Sequence, residues 1–198
     1  MNKTNVIIEK IKENGFLRSK DIVSLGISRE YIRKLLDKGL IVKVRRGLYS
    51  SPEAEISSDH SLAEAAKIIP HGIVCLLSAL SFHDLTTQNP WEVWMMIEKK
   101  WNPIYQDFPM RIVHCYTSKA FLEGIEEHTI EGVKVKIYSP AKTIVDCFKF
   151  RNKIGIDIAI EALKDSLRKR ICRIEEIAGY ARICRASNVI RPYLEAVS

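Results

Sequence analysis

Residues 28–50, Ser-Arg-Glu-Tyr-Ile-Arg-Lys-Leu-Leu-Asp-Lys-Gly-Leu-Ile-Val-Lys-Val-Arg-Arg-Gly-Leu-Tyr-Ser, contain a helix, a stop and a hairpin in a single reading. Ser28 is a helix N-cap residue, since its hydroxyl can accept from a backbone N–H of the first turn. Ile32, Leu35 and Leu36 then fall on one helical face with Tyr31 at its margin, and Arg29, Glu30, Arg33, Lys34 and Asp37 fall on the other. The pattern predicts a helix from Arg29 to Lys38, stopped at Gly39. Leu40 to Val44 and Leu48 to Ser50 read as two strands around Arg45-Arg46-Gly47, where Gly47 permits the reversal and the two arginines sit at the tip.

Upstream, Val6, Ile7, Ile8 and Ile11 give an apolar stripe over residues 4–13, ended by Asn14-Gly15, with Phe16 and Leu17 packing beneath it. Ser19 is expected to cap a short second helix with Ile22, Val23 and Leu25 inward, before a turn at Gly26. Three helices followed by a two-stranded wing are the layout of a winged helix-turn-helix, whose last helix enters a DNA major groove. Charge agrees with that layout. Residues 1–50 carry twelve Lys and Arg against five Asp and Glu, a net of +7, whereas the remaining 148 residues are balanced at 19 of each sign. A basic module on a neutral body is the electrostatic footprint of a polyanion ligand, here double-stranded DNA.

The chemistry assigns roles within this module. Arg29 and Arg33 are candidates for base edges, because a guanidinium pairs bidentately with guanine. Lys34, Lys38, Lys43, Arg45 and Arg46 are candidates for phosphate contacts, which position rather than specify. Glu30 either accepts from a cytosine or pairs with Lys34 one turn on, and Tyr31 is shared between surface and core.

Beyond a polar linker at 53–59, the chain reads as a second domain over residues 60–198, after a DNA-binding domain over 1–52. Helices are expected from Ser61 to Ile69 and around Leu76 to His83, and strands at 92–97, 111–116, 125–130 and 133–138, the last two joined by Glu131-Gly132. After Pro140 the periodicity is helical over 141–150, 156–169, 174–182 and 187–197. The fold class is therefore α+β, a winged helix-turn-helix followed by a mixed α/β domain with a helical C-terminal tail. Lys164, Arg168, Lys169, Arg170, Arg173, Arg182, Arg185 and Arg191 offer a second basic surface there, or a solvated helix face.

Composition narrows the function further. A hydrophobic content of 46% supports a packed core and excludes a disordered chain. Five widely spaced cysteines without a C-x-x-C pair point to buried thiols in a reducing cytoplasm. No apolar run approaches the ~20 residues of a membrane span. The five histidines lack metal-site spacing, no phosphate loop or nucleophile elbow is present, and neither a metal nor another cofactor is expected. His71 and Cys75, four apart, do not make a metal site alone. Asp107 with Glu131, Lys134 and Lys136 has the composition of a nuclease site, but Glu131 falls at a turn and the lysines on an exposed strand face. Ser81 and His83 are two apart on a helix and do not face one another. Asp146, four after Lys142, reads as a helix-surface ion pair. The chain is not expected to be an enzyme.

Four separated motifs carry a family resemblance: Arg45-Arg46-Gly47-Leu48-Tyr49, the run Leu77-Ser78-Ala79-Leu80-Ser81-Phe82-His83-Asp84-Leu85-Thr86, the strand Trp91-Glu92-Val93-Trp94, and Ser139-Pro140-Ala141-Lys142-Thr143-Ile144-Val145-Asp146. Together they resemble the AbiEi antitoxins, abortive-infection (type IV) regulators of viral defence systems, whose pattern usually has Gly where this chain has Asp84. The resemblance implies an N-terminal module that binds inverted repeats in its own promoter and represses a two-gene operon. It also implies a C-terminal domain that counteracts a nucleotidyltransferase-type toxin without a stable complex. A solitary winged-helix regulator and a defence-associated nuclease remain the alternatives.

Overall fold

The computed structural model describes residues 3–53, 57–101, 108–115 and 117–197. It is a mixed α+β protein that divides into two compact units, Met1–Ile68 with His128–Val135, and Ile69–Glu127 with Lys136–Ser198.

In the first unit, α1 (Lys3–Asn14), β1 (Phe16–Arg18), α2 (Ser19–Ser24) and α3 (Arg29–Asp37) precede β2 (Val42–Arg45) and β3 (Leu48–Ser50), with α4 (His60–Ile68) beyond them. The three strands form one antiparallel sheet in the order β1-β3-β2. Its first strand was not foreseen, because three residues show no alternation; Leu17 lies opposite Tyr49 there. Ile7, Ile11, Leu17, Ile22, Ile27, Ile32, Leu35 and Ile41 form the core, to which α1 and α3 each contribute an aliphatic stripe and α2 contributes Ile22.

Two expectations for α2 are corrected. The cap is Arg18 rather than Ser19: Asp21 accepts from the Arg18 backbone N–H at 3.1 Å and from its guanidinium at 2.9 and 3.1 Å. Val23 and Leu25 are 44% and 43% exposed, since a six-residue helix can turn only Ile22 fully inward. Gly15 adopts φ +66°, and a Cβ there would lie 1.8 Å from the Glu131 carbonyl oxygen, so α1 must end on glycine. Glu131 caps this corner with its side chain, which accepts from the Ser57 N–H at 2.7 Å and from His60 Nδ1 at 2.8 Å. Burial works to raise the Glu131 carboxyl, but those two donors outweigh it and hold it below its ordinary value.

The second unit contains β4 (Ile73–Val74), α5 (Leu76–Phe82), β5 (Val93–Glu98), β6 (Met110–Cys115) and α6 (Ser118–Leu122). The hairpin β7 (Ile125–Ile130) and β8 (Val133–Tyr138), whose turn end at His128–Val135 counts with the first unit, follows in the chain, then α7 (Pro140–Lys149), α8 (Arg151–Ile154), α9 (Ile156–Arg168), α10 (Ile174–Ile183) and α11 (Ser187–Val197). The sheet order is β6-β5-β4-β8-β7; β4 runs parallel to β8 and β5 parallel to β6, which makes it mixed. The hairpin turn is Glu131-Gly132, both at positive φ as a two-residue turn of matching twist requires. Short β4, α6 and α8 were not foreseen, being too brief to show a period.

Helix α7 is buried from Ala141 to Phe148 on every side. Ser139 caps it, and Pro140 occupies the first turn, where no N–H is needed. The Lys142–Asp146 pair is therefore not on a helix surface as expected. Its side chains are 0% and 3% exposed and joined directly, with the Lys142 ammonium 4.1 Å from the centre of the Tyr138 ring. Burial acts against the Lys142 charge, but the Asp146 carboxylate overrides it and holds the ammonium above its ordinary value. All five cysteines are buried free thiols, and burial pushes Cys172 up to about 12 and Cys184 up to about 11, so they serve as core residues at neutral pH.

Removing one member of the buried pair leaves an uncompensated charge. Asp146→Ala or Lys142→Ala should lose about 3–5 kcal/mol in urea unfolding, while Lys142→Met with Asp146→Leu loses less than either alone. Equal losses in all three proteins would show that the pair carries no such constraint. In the first unit, the depressed Glu131 carboxyl contributes stability that is present above its ordinary value of 4.5 and is lost as pH falls through the lower folded value. The Tm gap between wild type and Glu131→Gln should accordingly be open at pH 7 and shrink as pH falls below 4.5.

Candidate nucleic-acid interface

The outer face of α3 is assembled by polar anchors at its start. Ser28 accepts from the Tyr31 N–H at 3.3 Å, which commits its hydroxyl to capping. The Tyr31 hydroxyl meets Thr4 Oγ1 at 2.8 Å, tying α3 to α1, so this residue is half core. With Ile32 and Leu35 buried, Arg29, Glu30, Arg33, Lys34, Asp37 and Lys38 are all exposed. Arg29 and Arg33 stand one turn apart on this face, where two guanidinium groups can address neighbouring base pairs. Glu30 pairs with Lys34 at 3.3 Å, the simpler of its two readings; an exposed i,i+4 pair contributes only about 0.3–0.5 kcal/mol and yields readily to a better ligand.

The strand residues separate. Lys43 is exposed on β2, opposite Tyr49. Arg46 is exposed in the turn beside Gly47, which adopts φ +77°. Arg45, expected as a phosphate contact, is instead engaged within the unit: its Nε lies 3.2 and 3.3 Å from the two oxygens of Glu64 on α4. The Glu64 side chain is 5% exposed, so the guanidinium balances a buried carboxylate. Strand β2 ends at Arg45, whose side chain reaches α4, while Arg46 lies in the turn and stays exposed. Glu64 was missed because nothing local connects residues 19 apart.

The second basic set is exposed throughout, at Lys164, Arg168, Lys169, Arg170, Arg173, Arg182 and Arg185. Much of it has local partners. Arg168 pairs with Asp165 at 2.9 Å, Lys169 donates to the Asp84 carbonyl at 2.5 Å, and Arg191 pairs with Glu195 at 2.7 Å. Most of these cations cluster at the C-terminal ends of α9 and α10, where positive charge opposes the helix dipole.

Among the described residues the other candidates do not assemble a reaction centre. Asp107 lies outside the described residues. Glu131 is held by Ser57 and His60, while Lys134 is exposed and Val133, Val135 and Ile137 are buried, the alternation of an ordinary strand. His83 Nε2 donates to the Tyr138 carbonyl at 2.8 Å and is structural. Among the described residues no group of three or more His, Cys, Asp or Glu converges for a metal, and no helix is long and apolar enough to cross a membrane.

Residues 5–52 match the family model described as transcriptional regulator, AbiEi antitoxin, which bears out the resemblance over α1 to β3. No curated protein matches the chain.

Arg45 and Arg46 should differ on substitution. Arg45→Ala leaves the Glu64 carboxylate without its partner and should lower stability by about 2 kcal/mol, whereas Arg46→Ala should stay within about 0.5 kcal/mol of wild type. Thermal unfolding of the two variants decides this; equal melting temperatures would mean that the Arg45–Glu64 pair is dispensable.

Proposed function

We propose, from the match of residues 5–52 to the AbiEi antitoxin regulators, that this chain is a DNA-binding transcriptional autorepressor and the antitoxin of a type IV toxin–antitoxin system. The observation that carries the reading is the outer face of α3, where Arg29 and Arg33 stand exposed one turn apart within a segment of net charge +7. In this reading α1 to β3 act as a winged helix-turn-helix. Helix α3 lies in the major groove with Arg29 and Arg33 at base edges. Lys34, Lys38 and Lys43 meet phosphates, and the β2–β3 turn brings Arg46 to the backbone or the minor groove. The operator is an inverted repeat upstream of the chain's own coding sequence, which two copies of the module read in opposite orientations.

The second unit, in the same proposal, counteracts a nucleotidyltransferase-type toxin without a lasting complex, and the protein acts in the cytoplasm beside its operator. The exposed cations near the ends of α9 and α10 are the residues to test for that role.

Fluorescence anisotropy with the upstream duplex and a scrambled duplex, over a salt series, tests the DNA reading. Wild type should prefer the upstream sequence, with affinity falling steeply as salt rises. Arg33→Ala should cost about 1–3 kcal/mol on the preferred site and narrow the gap to scrambled DNA. Equal affinity for both duplexes in wild type would remove sequence-specific repression from the proposal.

A further inference from the structure

A cavity of about 320 Å³ opens in the first unit beside the β2–β3 turn. Arg18, Ser19 and Lys20 at the β1–α2 junction line one side, Arg46 and Gly47 of the turn another, and Lys67 from the last turn of α4 a third. Four cations face this space and no carboxylate lines it. Asp21 uses both oxygens on Arg18, at 2.9 and 3.1 Å, and so neutralises one of the four. The Arg18 guanidinium also reaches the Lys67 carbonyl at 3.4 Å, which ties the walls together. Lys20, Arg46 and Lys67 line the same space as further cations, a lining that favours an anion. Burial pulls the Lys67 ammonium below its ordinary value, against the attraction of Asp21 and with a smaller push from Arg18.

We propose that this cavity seats a backbone phosphate of duplex DNA, with Lys20, Arg46 and Lys67 as the groups that neutralise it. The inference rests on the DNA-binding reading and extends that interface from α3 and the turn onto α4. Two features select a phosphodiester over a free phosphorylated molecule. The cavity is open along one side, as a continuous strand requires, whereas small-ligand sites enclose most of their ligand. It also adjoins the Arg46-Gly47 turn, so a strand that meets the turn runs on into it. None of these groups reads a base, so the site positions the duplex without specifying its sequence.

The test uses the full chain, the upstream and scrambled duplexes, and inorganic pyrophosphate as the free-phosphate probe. The double variant Lys20→Gln with Lys67→Gln should weaken binding to both duplexes alike, roughly three- to tenfold, and flatten the slope of log K against log salt by about one. Lys67→Arg, which keeps the charge on the half-buried stem, should retain the wild-type slope. Circular dichroism melts establish that the variants are folded. An unchanged slope in the double variant, with Arg33→Ala still narrowing sequence preference, overturns the phosphate seat and leaves the DNA reading intact. Failure of wild type to bind any duplex overturns both. If pyrophosphate raises the Tm of wild type but not of the double variant, and the two bind DNA alike, the cavity takes a free phosphate compound and the DNA source falls.

Discussion

A helix enclosed on every side has no water to satisfy its polar groups, and the second unit is arranged around that constraint. Helix α7 carries a lysine and an aspartate into a core of aliphatic and aromatic side chains. They stand one turn apart and satisfy each other, with the Tyr138 ring over the ammonium. The Tyr138 carbonyl in turn accepts from both Thr143 Oγ1 and His83 Nε2, at 3.1 and 2.8 Å, which fastens the end of β8 to α7 and α5. Rotating α7 by one residue would break these bonds and turn a charge against the apolar core. The contacts of Thr143 and Lys142 with Tyr138 hold the central helix in one orientation, although apolar residues in place of the ion pair would fill the same space without desolvating two ions.

The first unit holds its basic face by the opposite device, with polar contacts at the edges of an aliphatic core. Ser28 starts α3, Tyr31 ties it to Thr4, and the aliphatic stripe beneath leaves the cations outside. Adjacent arginines meet different ends because the strand stops between them. Arg45 turns inward to a carboxylate that would otherwise be buried alone, and Arg46 remains at the turn. A run of like charges in a sequence thus mixes structural and surface residues.

The same lesson holds at the helix ends of the second unit. Asp84, Arg170 and Arg185 adopt left-handed φ values of 54°, 56° and 56° just beyond α5, α9 and α10. At each, the following N–H returns to a carbonyl of the last turn: Leu85 to Leu80, Ile171 to Ser166, and Ala186 to Ala181. Glycine is the residue most at ease in that position, so these three side chains are held there at some backbone cost. The arginines there combine a terminating conformation with charge that opposes the helix dipole.

Periodicity, caps and charge were legible without any structure. The amphipathic spacing of Ile32, Leu35 and Leu36, the cap at Ser28, the stop at Gly39 and the Glu131-Gly132 hairpin are local properties, decided within a few residues of backbone. The same holds for the concentration of positive charge in residues 1–50 and for the exposed cations of α3. Three-residue β1 and two-residue β4 were not legible, because strands that short acquire identity only from the partner they bond to. Nor was the depth of Lys142 and Asp146: a pair at i,i+4 looks the same in sequence whether its helix lies on a surface or in a core. The engagement of Arg45 by Glu64, and the gathering of Arg18, Lys20, Arg46 and Lys67 around one cavity, join residues far apart along the chain. Sequence determined which residues are charged and where the longer periodic elements run. Tertiary structure alone decided which charges meet, because that depends on distances through space that no local pattern encodes.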